Sequence, residues 1–565
     1  MITKSVAWKR YAALSAVLVM IPLPLTLLLR AGAYGLPGAV MATAGSLALV
    51  LLYWWPLGAL HFFLPGNAVM RWLVAFLCSI PLFFLALWCA YAGSGSRLAP
   101  EGAGGWGIYL SNTPWFFLGT WGLSKVATRE GRAWRVVLGA AVVLLTLSGA
   151  GALVFALSED RYRWPQAGPE RWRIVNARVV DPEEGRVLEG HHVVIDRGRI
   201  AAIVPAAADT SSAIAIDAGG RYLVPGLIDA HAHLQVPIEG GTLAFRPKLF
   251  FGSLVSSFAP NRRALLEAGV TTIRDIGGIA AQSQRLRDAI ERRELLGPRV
   301  LTVGRLVTSP DGHPAGTIWT KELRREGAIE VTDSAMMIAA LESDLHAFRP
   351  NGVKLIYGTI GRAPTRLDPH LLRIAAAWAH SKGLWVAIHA ETAEEVLTAA
   401  AAGATTIEHV GSIESLPDSL MATIIARKPW LDATLGEWLK AMELSRRDSA
   451  SIKTGFSERV ARLGLLRSAG ARFIMGTDAP LLAYGGGVHD ELALLRLAGF
   501  TPAELLRIAT VNNAEALGLA REVGGMRVGY RADLILVERN PLEDLETLRT
   551  PVWVVREGTV VVSKK

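Results

Sequence analysis

The sequence predicts an α/β protein: a (β/α)8 TIM-like barrel with a small β-sandwich built from both flanking segments, preceded by an all-α transmembrane segment. Three observations carry this. Eight short apolar runs alternate with helical stretches through the middle of the 565-residue chain, short β-like runs bracket that alternation at both ends, and the longest apolar runs crowd into the first 160 residues. The implied divisions are 1–160 for a transmembrane region of four or five spans, 172–224 with 525–565 for the sandwich, and 225–524 for the barrel.

Mean hydropathy is +0.31, and the excess is local. Residues 1–173 hold 11 of the 17 tryptophans and carry 14 Lys and Arg against 5 Asp and Glu, so the whole net charge of +9 sits there and the remainder is neutral. A nucleic-acid partner needs clustered base on the folded domain, and none is seen. Four runs, roughly 11–29, 39–64, 70–92 and 136–157, reach the ~20 apolar residues that a bilayer requires. A fifth candidate lies between Glu101 and Lys125. With five spans, the basic stretch Lys125, Arg129, Arg132 and Arg135 faces the cytoplasm and the barrel lies outside; with four the barrel lies inside. The Lys and Arg counts near the span ends favour neither, so the outside reading rests on the long uncharged stretch alone. The expected location is then an integral membrane protein with its barrel outside the cytoplasm and a lipid bilayer as partner. The spans read as an anchor, because their charged residues lie at the ends and outline no transport path. Cys78 and Cys89 are eleven residues apart on one apolar run, about 16 Å on a helix, and cannot pair.

The charged, proline-containing stretch 158–173 reads as a linker. Next come β-like runs at Trp172–Val180, Val187–Asp196, Arg199–Val204 and Ser212–Ile216, matched near the end of the chain by Ala532–Val537 and Val552–Val562. Between the two sets lie the eight strand-like runs: Leu227–Leu234, Thr271–Gly277, Arg299–Gly304, Val353–Gly358, Trp385–Ala390, Thr405–Val410, Trp430–Leu435 and Phe473–Asp478. Amphipathic stretches such as Gln282–Leu296 and Leu371–Ser381 separate them. Eight alternating units suit a (β/α)8 barrel, whose active site gathers at the C-terminal ends of its strands.

Five of these runs present a residue able to hold a metal, or convertible to one that can. The first ends in His231-Ala232-His233, the fourth carries Lys354, the fifth ends in His389, the sixth in His409 and the eighth in Asp478. Residues two apart on a strand face the same side, so His231 and His233 can grip one ion, and His389 and His409 a second. The alternative for the paired histidines is a hydrogen-bonded core pair. Imidazole suits divalent zinc, iron, nickel and cobalt, and zinc is the metal expected. An ammonium ion cannot ligate a cation, but a buried lysine loses its proton readily. Neutral Lys354 can take up carbon dioxide as a carbamate that bridges two ions; the alternative is a solvated or paired lysine. Two ions about 3.5–4 Å apart can share a hydroxide and polarise a carbonyl. Asp478 is then placed to take the nucleophile's proton and deliver it to the leaving amine.

These motifs resemble the amidohydrolase superfamily, and within it the imidazolonepropionase-like and Xaa-Pro dipeptidase-like subgroup. The resemblance runs from about Arg173 to the end of the chain. It is carried by Val224-Pro225-Gly226-Leu227-Ile228-Asp229-Ala230-His231-Ala232-His233, Gly269-Val270-Thr271-Thr272-Ile273-Arg274-Asp275, Gly352-Val353-Lys354-Leu355 and Val386-Ala387-Ile388-His389-Ala390. Ile407-Glu408-His409, Gly476-Thr477-Asp478-Ala479 and, in the tail, Asn513-Ala514 and Ala532-Asp533-Leu534 extend it. The resemblance implies one metal held by His231, His233 and Asp478, another by His389 and His409, and a carboxylated Lys354 between them. It also implies hydrolysis of amide-type C–N bonds. His313, in Ser309-Pro310-Asp311-Gly312-His313, resembles a substrate-facing loop histidine of the subgroup. Tyr357, near the end of the fourth run, is a candidate oxyanion donor, and Arg305 or Arg362 a candidate for binding a substrate carboxylate.

The function expected is a membrane-anchored, metal-dependent hydrolase of small substrates, dipeptides or N-acyl amino acids. The alternatives are a cyclic amide or imidazolone hydrolase on the same metals, and a non-catalytic membrane sensor whose barrel binds a ligand. A homo-oligomer is compatible with the sequence and not required by it.

Overall fold

The computed structural model describes residues 4–20, 162–165, 168–235, 258–316, 321–358, 365–445 and 448–564. The chain divides into two units, Met1–Glu159 with Leu254–Ser256, and Asp160–Ser253 with Ser257–Lys565. In the first unit the described element is one helix, Lys4–Met20, whose Trp8 and Tyr11 rings stack 5.5 Å apart.

The expected membrane location is corrected here. Among the described residues no helix is long and apolar enough to cross a membrane. The 17 residues of Lys4–Met20 span only about 25 Å at 1.5 Å per residue and carry Lys4, Lys9 and Arg10. The other expected spans, and residues 21–29 of the first, lie outside the described residues.

In the second unit five strands come first: β1 (Arg171–Asp181), β2 (Arg186–Asp196), β3 (Arg199–Pro205), β4 (Ile214–Asp217) and β5 (Tyr222–Pro225). Then β6 (Leu227–Ala232), β7 (Val270–Asp275) and β8 (Arg299–Thr302) form a three-stranded parallel sheet. A second parallel sheet takes β9 (Leu306–Thr308), β10 (Ala328–Glu330), β11 (Gly352–Ile356), β12 (Trp385–His389), β13 (Thr406–Glu408), β14 (Trp430–Asp432) and β15 (Arg472–Ile474) in the order β10-β9-β11-β12-β13-β14-β15. The last three strands are β16 (Leu534–Val537), β17 (Trp553–Arg556) and β18 (Thr559–Ser563).

Each of the eight apolar runs contains a parallel strand, and β9 and β10 are additions that the sequence did not announce. These strands read as apolar runs rather than alternations because nearly every residue in them is buried. The two parallel sheets approach each other at both ends. Ala230 N donates to the Met475 carbonyl (3.0 Å), Asp478 N to His231 O (2.8 Å) and His233 N to Ala479 O (2.7 Å), so β6 lies beside the chain leaving β15. On the other side Asn351 N donates to Thr302 O at 2.8 Å, between the end of β8 and the start of β11.

The connecting helices start and stop where local chemistry dictates. Helix Pro369–Ser381 begins behind Asp368, which accepts from His370 N, with proline in the first turn. Its Leu371, Leu372, Ala375, Ala376 and Ala379 form the helical stripe that packs inward. Helix Ala393–Ala402 opens on a capping box between Thr392 and Glu395 and ends at Gly403, whose φ of 95° suits glycine. That cap fixes the exit of the chain four residues after His389. Strands and helices share one apolar core that includes Val386, Ile388, Leu372, Val396, Ile407 and Leu431.

The flanks differ from expectation. Their strands share a single eight-stranded sheet, β18-β17-β16-β5-β1-β2-β3 with β4 also on β1, where two packed sheets were expected. The cause lies in β1. Its first half pairs with β4 and its second with β5, across a bulge at Asn176, whose φ is 53°. A bulge bends and twists a strand, so one sheet can wrap its own core of Trp172, Ile174, Val193, Leu534 and Val555. The stretch read as a linker is also pinned: Trp164 Nε1 donates to Leu295 O (2.9 Å), and Leu296 N to Tyr162 O (3.1 Å).

Candidate active site

The two histidines of β6 reach one carboxylate. Nε2 of His231 lies 3.4 Å, and Nε2 of His233 3.0 Å, from Oδ1 of Asp478. The hydrogen bonds between β6 and residues 475–479 set this meeting, although 247 residues separate His231 from Asp478. His409 follows β13, and its ring centroid lies 4.8 Å from that of His231 and 4.3 Å from that of His389. Ligand atoms of His231, His409 and Asp478 all lie within 4.8 Å of one another, a spacing that could hold a metal ion. His409 and Asp478 have left-handed backbones, φ 67° and 52°. His and Asp accept this conformation more readily than most residues, and here it turns both side chains off their strand ends.

Three of the imidazoles are fixed from behind. Nδ1 of His233 donates to the Gly277 carbonyl at 2.9 Å, and Nδ1 of His409 pairs with the Thr434 hydroxyl at 2.9 Å. Nδ1 of His231 donates to Oε2 of Glu408 at 2.9 Å, with Oδ2 of Asp432 at 3.2 Å. Glu408 in turn receives Nη2 of Arg274 on both oxygens, at 2.9 and 2.8 Å. Glu408, Arg274 and Asp432 are fully buried. Against its burial, Arg274 holds the Glu408 carboxyl well below its ordinary range, whereas burial and the neighbouring Glu408 push Asp432 well above.

Lys354 lies in β11 with its side chain 2% exposed, and its ammonium nitrogen has no hydrogen-bond partner. Burial lowers its pKa from 10.5 to about 8, against the pull of Glu408. Nε2 of His389 also lacks a hydrogen bond; its nearest carboxylate oxygen is that of Glu391, at 3.4 Å. Burial, with Lys354 adding to it, takes His231 down to about 4. Burial also opposes charge on His233, but Asp478 and the Gly277 carbonyl outweigh it and raise that pKa. Burial favours a neutral Asp478, yet His231 and His233 hold it below the ordinary carboxylate value. Burial, with His389 adding to it, also takes His409 well below its ordinary value. The group thus combines two neutral imidazoles with one ionised carboxylate and two polar atoms, Lys354 Nζ and His389 Nε2, that lack hydrogen-bond partners. That donor set fits divalent cations.

The second group of expected residues lies close by. The His313 ring is 5.7 Å from that of His389, and burial and His389 take its pKa down to about 3. Tyr357 follows β11, is 1% exposed and has the Arg366 guanidinium 5.0 Å from its ring centre. Arg305 is not free to take a substrate carboxylate: it is bound to Asp344 through Nη2 (2.6 Å) and Nε (3.0 Å). Arg362 lies outside the described residues.

Sequence reasoning assigned no role to Glu408, Arg274, Asp432 or Thr434. A signal existed for the first three, because charged residues inside otherwise apolar strands are seldom buried without a partner. Thr434 offered none.

The chain is 25% identical over 426 residues to ochratoxinase of Aspergillus niger, covering 67% of this chain and 83% of that one. It is 25% identical over 376 residues to an enamidase of Eubacterium barkeri, covering 65% and 85%. Among solved structures it resembles a prolidase complexed with N-methylphosphonate-L-proline, at 25% identity and a TM-score of 0.59, over 70% of this chain and all of the other. Residues 222–561, more than half of the chain, match the amidohydrolase family. The chain therefore belongs to the amidohydrolase family and is an enzyme acting on carbon–nitrogen bonds.

Proposed function

We propose that this enzyme is a two-metal hydrolase cleaving amide-type C–N bonds of small substrates, dipeptides or N-acyl amino acids. Its catalytic body would be a closed (β/α)8 barrel over residues 225–524, with the flanking sheet at 172–224 and 525–565. The hydrogen bonds joining β6 to residues 475–479 support closure. One observation carries the functional reading: the Lys354 nitrogen, buried and unpartnered, in a site that also holds His231, His409 and Asp478. A buried amine without a partner is costly to maintain, and a role as metal bridge accounts for it.

In this reading His231, His233 and Asp478 hold one ion, His389 and His409 the other, and zinc suits the imidazoles. The neutral amine of Lys354 would add to carbon dioxide and release a proton, giving a carbamate that could serve as a ligand to both ions. The ions, once bound, polarise the scissile carbonyl and acidify water. Asp478, already ionised at neutral pH, accepts the proton of the attacking water and passes it to the leaving nitrogen. Tyr357 donates to the developing oxyanion, and neutral His313 contacts the substrate. The likeness to a prolidase supports a dipeptide-like substrate.

The test is metal analysis joined to a substrate panel. Protein reconstituted with zinc and bicarbonate should hold two equivalents and hydrolyse Xaa-Pro dipeptides or N-acyl amino acids. Fewer than one equivalent would end the metal reading. A two-metal protein inert on both classes and active on lactams would move the substrate to cyclic amides.

A further inference from the structure

Two sets of metal-capable groups share His231. One is His231, His409 and Asp478; the other is His231, Glu408 and Asp432. The second set is not a third cation site. The Arg274 guanidinium donates to both oxygens of Glu408, the Thr406 hydroxyl donates to the same carboxylate, and Gly476 N donates to Oδ1 of Asp432 at 2.9 Å. Those lone pairs are spent, and a cation placed there would lie against a fixed guanidinium. What the second set offers is a negative socket for the Nδ1–H of His231.

This sets His231 apart. Among the described residues Nδ1 of His233 bonds a peptide carbonyl and Nδ1 of His409 a hydroxyl, with the Glu437 carboxyl 4.0 Å away, beyond hydrogen-bond reach and pushed up by burial, while Nδ1 of His231 bonds a carboxylate. A carboxylate behind an imidazole fixes the tautomer and raises the basicity of the opposite nitrogen. We infer that Glu408, clamped by Arg274, is the positioning residue that makes the ion on His231 and His233 the more tightly held of the two, while Thr434 plays the weaker corresponding part for the ion on His389 and His409. The inference rests on the two-metal reading above. Glu408 ends β13 and His409 follows it, so two adjacent residues would serve the two ions.

The experiment titrates cobalt(II), in bicarbonate, into metal-free full-length protein and follows the visible ligand-field bands. In a His389→Ala background, which retains the His231/His233 ion, Glu408→Gln should raise the cobalt Kd about 10–100-fold and shift the bands. In a His233→Ala background, which retains the other ion, Glu408→Gln should leave Kd within about threefold, and Thr434→Val should be the variant that weakens binding. Glu408→Asp, which keeps the charge but retracts it by one methylene, provides the same comparison should Glu408→Gln not fold, and should show the same selectivity at smaller size. Equal weakening of both ions by either Glu408 variant would make the residue a general structural support and overturn the inference, as would no weakening of either. A wild-type protein that binds no cobalt would instead overturn the two-metal reading itself.

Discussion

Replacing Lys354 by methionine should stabilise the metal-free protein while abolishing the proposed two-metal state. The ammonium of Lys354 is buried and has no partner, and its pKa is lowered from 10.5 to about 8. At 1.36 kcal/mol per pKa unit, that displacement corresponds to about 3 kcal/mol of folding free energy lost to holding the charge out of water. The sign follows from proton binding. Below pH 8 both folded and unfolded chains carry the proton, and the penalty is constant. Between pH 8 and 10.5 the unfolded chain binds more protons than the folded one, so stability rises with pH and the penalty fades. Methionine has similar length and no charge, so the variant should gain about 1–3 kcal/mol at pH 7 and progressively less towards pH 10. Urea unfolding of both chelator-treated proteins at the two pH values measures it, with the difference between them isolating the lysine. A variant less stable than wild type at pH 7, or a gap that does not narrow by pH 10, would refute the reasoning. Such a result would mean that Lys354 is paired or solvated in the working protein.

Three further outcomes follow from the same geometry. Asp478→Asn, which removes the ionised proton acceptor between His231 and His233, should lower kcat about 10²–10⁴-fold in reconstituted protein, seen by steady-state assay. Tyr357→Phe should lower kcat about 10²–10³-fold with little change in KM if its hydroxyl meets the oxyanion; a rise in KM alone would assign it to substrate binding. Gly476→Ala should destabilise by about 1–3 kcal/mol, because a β-carbon there would lie 2.2 Å from Cβ of His231 and 2.5 Å from Oδ2 of Asp432. Thermal unfolding would show this, together with reduced cobalt uptake as His231 is pushed from its socket.

The parts of this enzyme legible in the sequence are those written in a local code. The alternation of two along a strand puts His231 and His233 on one side, and the eight apolar runs announce eight strands because both faces of each are covered. Asp478 could be placed beside them by topology alone, and the hydrogen bonds of His231 O and His233 N to that segment are the realisation. The long apolar stretches near the N-terminus announced a membrane with equal force. Yet apolar length is a necessary condition only, and the described helix there is short and carries three basic residues.

What could not be read is pairing across distance. Arg274 and Glu408 are 134 residues apart and come from β7 and β13, which do not neighbour each other in either sheet. No periodicity links them, because the contact crosses the interior instead of following a ladder. The same holds for Arg305, which looked free for a substrate until Asp344, 39 residues on, proved to occupy it. Yet the odd residues were visible: Asp229, Arg274, Glu408 and Asp432 interrupt strands that are otherwise apolar. An interior of low dielectric tolerates such groups only in mutual satisfaction, so several in one set of parallel strands must converge. Of the three carboxyl groups, Glu408 is held ionised by Arg274, while burial pushes Asp229 and Asp432 upward. An ionised carboxylate behind a buried imidazole suits a cation-binding donor set, so the strand interiors carried a signal that the strand-end histidines alone did not.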